Sequence, residues 1–286
     1  MNYKGIILSG GYGSRLSPLT KAINKHFLPL HDKPLIYYAL SILMLTKIKE
    51  ILIIVNPNDQ NIFKNLLGNG SRFGINITYK IQNKPTGIPD ALAVGKSFIG
   101  KSNILLILGD NFFYGDRLPL KILSALKNNS GATIFTHPVL EPNQFGIVEK
   151  NKKSIMLKEK PIKTKSNSAI TGLYVLNNDS INYIKLLKPS KRNETEIIDL
   201  LKIYLKKKKL KIEEFGRGTA WLDAGTFENF TNASNFIYNV EKRQGFKIAC
   251  LEEIAFNNKW INKIQITKAI KFYGNCDYSR YLKKII

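Results

Sequence analysis

The residues that suggest chemistry begin near the N-terminus. The stretch Ser9-Gly10-Gly11-Tyr12-Gly13-Ser14-Arg15-Leu16 follows a short apolar run, with three glycines in four positions. Glycines after a strand let backbone N–H groups approach a phosphate closely, and a following helix N-terminus adds positive field. Two familiar phosphate loops are excluded. A P-loop needs GK[ST] after its spacer, and the dinucleotide fingerprint needs a small residue where Leu16 stands. A plain tight turn shows the same glycines, so the loop alone does not decide the matter. Arg15 adds a fixed cation of the kind that stabilises a departing pyrophosphate.

Two carboxylates stand at suggestive places. Asp110 follows a buried apolar run and a glycine; carboxylates at the carboxyl ends of parallel strands sit where open α/β sheets bind ligands. Asp223 lies in Trp221-Leu222-Asp223-Ala224-Gly225-Thr226. Mg2+ takes one or two protein carboxylates plus substrate phosphates, so the pair suits one ion if they meet in space. Spacing does not decide whether they meet, and Gly-Asp also caps ordinary turns. Lys25, in Asn24-Lys25-His26-Phe27-Leu28-Pro29, follows the glycine loop, and Lys160 precedes Pro161. In so lysine-rich a chain each of these, like Arg192, reads on its own as a surface residue.

Elements that position these groups follow from hydrophobic periodicity. Gly5–Leu8, Ile51–Val55, Ile75–Ile81 and Ile104–Leu108 read as strands, and Pro34–Leu45 as a buried helix with Pro at its start. Continuous apolar strands separated by helices predict a mostly parallel sheet covered on both faces. Further along, Thr133–Thr136, Ile147–Glu149 and Ile170–Leu176 read as strands, and Glu194–Leu205 and Phe227–Val240 as helices. The rhythm changes near Gly131, but no Pro/Ser/Gly-rich tether interrupts the chain. The expectation is a single α/β domain of Rossmann-like type, with a mixed, mostly parallel sheet flanked by helices. Residues 1–226 form its core and 227–286 a C-terminal helical part.

Composition narrows the class. A chain of 286 residues that is 44% hydrophobic can bury a sizeable core. No apolar run is long enough to span a bilayer, and no signal-peptide cleavage pattern is present. Cys250 and Cys276 form no CxxC pair and read as reduced thiols of a cytoplasmic protein. His26, His31 and His137 have no metal-ligand spacing, so zinc is not expected. The net charge of +23 comes largely from lysines spread along the chain. That reads as a solvated surface, with neither a nucleic-acid nor a membrane partner expected.

Five motifs in order give the chain a family. They are Gly10–Leu16, Gly109–Gly115, Glu159-Lys160-Pro161, Gly216-Arg217-Gly218 with Ala220–Asp223, and Arg243-Gln244-Gly245 followed by Glu252–Phe256. Over nearly all of its length the sequence resembles the bacterial glucose-1-phosphate thymidylyltransferases, a group of sugar-nucleotide pyrophosphorylases. The resemblance implies Mg2+-dependent joining of dTTP and glucose 1-phosphate. It implies that Leu8, Gly10, Gly11 and Ser14 line the nucleotide, and that Gln82 and Gly87 face the base. Arg15 and Lys25 would hold the triphosphate, Asp110 and Asp223 the metal, and Lys160 the sugar phosphate. Asn111, Gly146, Glu159 and Ile170 would contact the sugar, with Arg192 a further candidate on that side. A homotetramer with a second, feedback nucleotide-sugar site is implied as well.

The chain departs from the family pattern at a few places. Phe145 stands where Tyr is common, Lys158 replaces a commoner Glu, and Pro89-Asp90 replaces a different pair. The segment between Gly146 and Glu159 is slightly short. These positions leave open a uridylyl- or cytidylyltransferase, or another sugar 1-phosphate. A non-catalytic basic module that binds nucleotide or nucleic acid is the reading from a different class. It gives no physical reason for Arg15, Lys25, Asp110, Lys160 and Asp223 to occur together.

Overall fold

The structure, a computed structural model, describes residues 2–151, 154–190 and 192–286. The first stretch contains β1 (Tyr3–Ser9), α1 (Leu19–Ala22), β2 (Pro29–Leu30), β3 (Lys33–Pro34), α2 (Ile36–Leu45), β4 (Glu50–Val55), α3 (Gln60–Leu67) and β5 (Asn76–Ile81). Next come α4 (Ile88–Val94), α5 (Lys96–Ile99), β6 (Asn103–Leu108), β7 (Asn111–Gly115), α6 (Leu118–Asn128), β8 (Ala132–Pro138) and β9 (Gly146–Lys150). They are followed by β10 (Ile155–Glu159), β11 (Ser168–Leu176), α7 (Ser180–Ile184), α8 (Ile197–Lys206), β12 (Leu210–Glu214) and β13 (Thr219–Asp223). The chain closes with α9 (Phe227–Gln244), α10 (Leu251–Asn257), α11 (Lys263–Tyr273) and α12 (Asp277–Lys284).

Nine strands make one sheet with the path β10-β9-β11-β6-β1-β4-β5, from which β8 and β12 branch beside β11. The half holding β6, β1, β4 and β5 is wholly parallel, and β11 runs antiparallel to β6, β8 and β9. The Rossmann-like, mixed sheet expected from the sequence is therefore observed. Its two faces separate by alternate residues, as a strand's period of two requires. Ile7, Ile51, Ile53 and Ile107 join one core with α2 and the C-terminal helices. Ile6, Leu52, Ile54 and Leu106 join the other, with α4 and α8.

Two helices start later than expected. Helix α2 begins at Ile36 rather than Pro34, because Pro34 pairs with Pro29 in a short hairpin closed by Leu35 N–H donating to Leu28 O at 3.0 Å. Helix α8 begins at Ile197 rather than Glu194, because Thr195 is held in an extended bridge to Gly87. The C-terminal helices lie where the sequence placed them: α9 packs Ala233 and Ile237 against Phe112 of β7 and Tyr38 of α2. No helix among the described residues is long and apolar enough to cross a membrane.

Candidate active site

A cleft of about 360 Å³ opens at the carboxyl ends of β1 and β6, where open α/β sheets bind ligands. Most candidate residues meet there: Leu8, Gly10, Gly11 and Arg15 from the first loop, and Gln82 and Gly87 opposite. Lys25, Asp110 and Asp223 line its middle, and Gly146, Glu159, Lys160, Ile170 and Arg192 its far end. Ser14 is exposed and stands outside the lining, opening a short 3-10 turn. Gly13 makes that turn possible, with a φ of 63° that a glycine adopts freely.

The two carboxylates are brought together by β-pairing. Strand β13 runs antiparallel to β7 and sets Asp223 opposite Asn111, the neighbour of Asp110. The next peptide closes the arrangement, with Ala224 N–H donating to Asp110 O at 2.8 Å. Burial pushes both carboxyls up, but their partners differ. The Lys25 ammonium forms a hydrogen-bonded ion pair with Asp110, and Asn111 Nδ2 donates to it at 2.9 Å. Against burial, these partners hold Asp110 well below the usual carboxylate range. Burial and then the charge on Asp110 push Asp223 up to about 6, with Arg15 and a 2.7 Å hydrogen bond from Asn229 Nδ2 opposing.

Arg15 reaches this pair across Gly225. A Cβ there would stand 2.6 Å from Arg15 Nη2 and 2.9 Å from Asp223 Oδ2, so a glycine leaves the guanidinium its place. Among the described residues Arg15 and Lys160 form no ion pair with a carboxylate, which leaves both cations free for an anionic ligand. Lys160 has a φ of 40°, an uncommon conformation for a residue with a side chain, and its N–H donates to Phe145 O at 3.0 Å. That strain is of the kind that gathers at functional sites.

Several of the candidates are already engaged by protein partners. Asn111 is buried; its Oδ1 accepts from Trp221 Nε1 at 2.7 Å and Gly172 N–H at 3.1 Å, while its amide donates to Asp110. Both acceptor positions of that oxygen are filled, so Asn111 braces the carboxylate site and keeps at most one N–H for a ligand. Arg192 grips both oxygens of Glu196, at 2.9 and 2.8 Å, and one of Glu159 at 3.1 Å. Burial and the Glu196 charge raise the Glu159 carboxyl, with Arg192 and Lys160 opposing. Phe145 packs edge-on against Trp221 at 5.2 Å, without a hydroxyl to offer a sugar.

Sequence reasoning missed His26, Thr195, Glu196 and Trp221, all of which line the cleft. Trp221 stood inside a recognised motif; the others have no local signature, since their placement comes from the packing of distant loops. A separate group, His31, Asp32 and Glu241, brings three metal-type ligands together away from the cleft. Lys33 and Lys247 already contact both of its carboxylates, so the cluster is a neutralised ion-pair network rather than a cation site.

A nucleotidyl transferase family profile matches residues 4–240. The chain belongs to the nucleotidyl transferase family. This nucleotidyltransferase is 44% identical over 285 residues to a glucose-1-phosphate thymidylyltransferase of Neisseria meningitidis serogroup A, covering 99% of each chain. It is 40% identical to one from Mycobacterium tuberculosis, again over 99% of both. Among solved structures it resembles a Bacillus anthracis protein assigned as a glucose-1-phosphate thymidylyltransferase and crystallised with sucrose. That match has a TM-score of 0.75 and 38% identity, over 82% of this chain and 94% of the other. A UDP-glucose pyrophosphorylase complexed with UDP-glucose matches with a TM-score of 0.74 at 26% identity, over 84% and 99%.

Proposed function

We propose that this enzyme transfers the deoxythymidylyl group of dTTP to glucose 1-phosphate, giving dTDP-glucose and pyrophosphate. The observation that carries this reading is the convergence of Arg15, Lys25 and Lys160 with Asp110 and Asp223 in one cleft. Full-length similarity to thymidylyltransferases supports the choice of base and sugar. Gly10, Gly11 and Leu8 would take the nucleotide, and Gln82 and Gly87 its base. Glu159, Gly146 and Ile170 would surround the sugar.

The converging carboxylates suit a hard divalent cation, because burial and the neighbouring Asp110 charge hold Asp223 back from ionising without one. Asp110 and Asp223 would hold Mg2+, which supplies charge neutralisation between two anionic phosphates. Lys160 would orient the sugar phosphate, whose oxygen forms a bond to the α-phosphorus as the bond to pyrophosphate breaks. Arg15 and Lys25 would stabilise the negative charge that moves onto the leaving group. No general base is required, because a phosphate monoester is an anionic nucleophile near neutral pH. The same reading includes a cytoplasmic homo-oligomer, supported by the family resemblance and tested by sedimentation of the purified chain.

The test is pyrophosphate release with Mg2+, glucose 1-phosphate and each of dTTP, UTP, CTP, ATP and GTP. Release fastest with dTTP and lost on chelation supports the reading. Faster release with UTP moves it to a uridylyltransferase, and silence with every nucleotide and several sugar 1-phosphates overturns it.

A further inference from the structure

The two ends of the cleft are joined by backbone as well as by its floor. Gly87 and Thr195 form an isolated parallel bridge between loops distant in sequence. Thr195 donates its N–H to Thr86 O at 2.8 Å and its hydroxyl to the same oxygen at 3.2 Å. Gly87 has a φ of 120°, and a Cβ there would overlap Thr195 O, so the loops touch without slack. On the near side, Gln82 Nε2 donates to Gly87 O at 3.3 Å. On the far side, Glu196 follows Thr195 directly and holds Arg192, which reaches Glu159. The Arg192 side chain is 43% exposed, so these carboxylates rather than packing set its place.

We propose that Thr195 is a positioning residue that couples the base end of the cleft to the sugar end. This rests on the functional reading above. A pyrimidine base seated against Gln82 and Gly87 fixes Thr86. Through Thr195 it fixes the Glu196–Arg192–Glu159 set that receives a sugar 1-phosphate. Such coupling is reciprocal, so each ligand tightens the other by the same factor.

Thymidine is the probe, because it carries the base but no phosphate and so tests the bridge without direct phosphate or metal contact. Calorimetry measures glucose 1-phosphate affinity with and without saturating thymidine. The readout is the ratio of the two, which a uniformly damaged cleft wall leaves unmoved. In the native chain thymidine should tighten glucose 1-phosphate by about fivefold. Thr195→Ser should keep that ratio, Thr195→Val should reduce it, and Thr195→Pro, which lacks the N–H, should bring it to one. If thermal melting shows Thr195→Pro unfolded, Thr195→Val decides alone. A native ratio of one, or a Thr195→Val ratio equal to the native one, overturns the proposal. If dTTP still releases pyrophosphate in that case, the coupling has failed and the function stands. Absence of release with any nucleotide is the separate failure of the function.

Discussion

Asp223 and Asp110 are set side by side by the pairing of β13 with β7, and only Asp110 has a lysine against its carboxylate. At Asp223 burial and the like charge of Asp110 outweigh Arg15 and Asn229 and push the carboxyl up to about 6. A carboxyl raised in the folded state favours its protonated form there. Its ionisation therefore costs the fold stability as pH rises from about 4 through about 6. Asp223→Asn should stabilise the metal-free protein at pH 7 by on the order of 2 kcal/mol, while abolishing turnover. Melting across pH checks it: the gap between variant and native protein should close below about pH 4. Equal stability at pH 7 removes the repulsion argument.

Arg15 offers a second test. Its guanidinium approaches Asp223 over Gly225 without pairing, which suits a charge that develops only as pyrophosphate departs. Arg15→Ala should lower kcat by about a hundredfold or more and raise KM for dTTP by far less. Steady-state kinetics separates the two. Unchanged kcat with a raised KM would make Arg15 a binding group only.

These two residues also mark what the sequence makes legible. Asp110 follows the apolar strand β6, and Arg15 follows the glycine loop after β1, so local pattern alone puts them at the sheet's carboxyl edge. Asp223 gave no such signal. Its meeting with Asp110 depends on β7 and β13, a short separate pair whose residues lack the long apolar run of β4 or β6. Thr195 and Glu196 were read as helix because Glu194–Leu205 is mostly helical in composition. What pulls them into an extended bridge is a hydrogen bond to Thr86, distant in sequence. Periodicity reports which face of an element is buried; it does not report which loops touch.

Asn111, expected to contact the sugar, lines the cleft and also braces it. Its side chain ties Trp221, Gly172 and Asp110 together in a buried position. Asn111→Ala strands the Trp221 and Gly172 donors, each worth about 1–3 kcal/mol when buried without a partner. The variant should lose roughly 2–6 kcal/mol of stability by that reckoning and bind Mg2+ more weakly. Denaturant unfolding and metal titration check the two effects. Full stability with only a raised KM for glucose 1-phosphate would make Asn111 a sugar contact and not a brace.

His26 lines the same cleft near Asp110 and sets a pH limit on the fold. Its ring is buried, and Nδ1 lies 2.6 Å from Asn24 Oδ1, which also accepts the His26 N–H. An amide oxygen only accepts, so Nδ1 carries the proton and Nε2 is a buried acceptor with no partner among the described residues. Burial first, and then the Lys25 charge, push the ring down to about 3, with Asp110 opposing. A histidine depressed in the folded state adds no pH dependence above the unfolded value near 6.5. Below it the unfolded chain takes up the proton and the folded one does not. Stability should therefore fall as pH drops from about 6.5 toward about 3, by up to about 1.4 kcal/mol per pH unit from this one group. His26→Gln has no titrating ring, and Asp110 and Asp223 titrate in both proteins. The difference between native and variant stability, measured by denaturant unfolding from pH 7.5 to 4, should be flat above 6.5 and slope against the native protein below it. A difference independent of pH over that range would show that the His26 ring is protonated in the folded state or accessible to water.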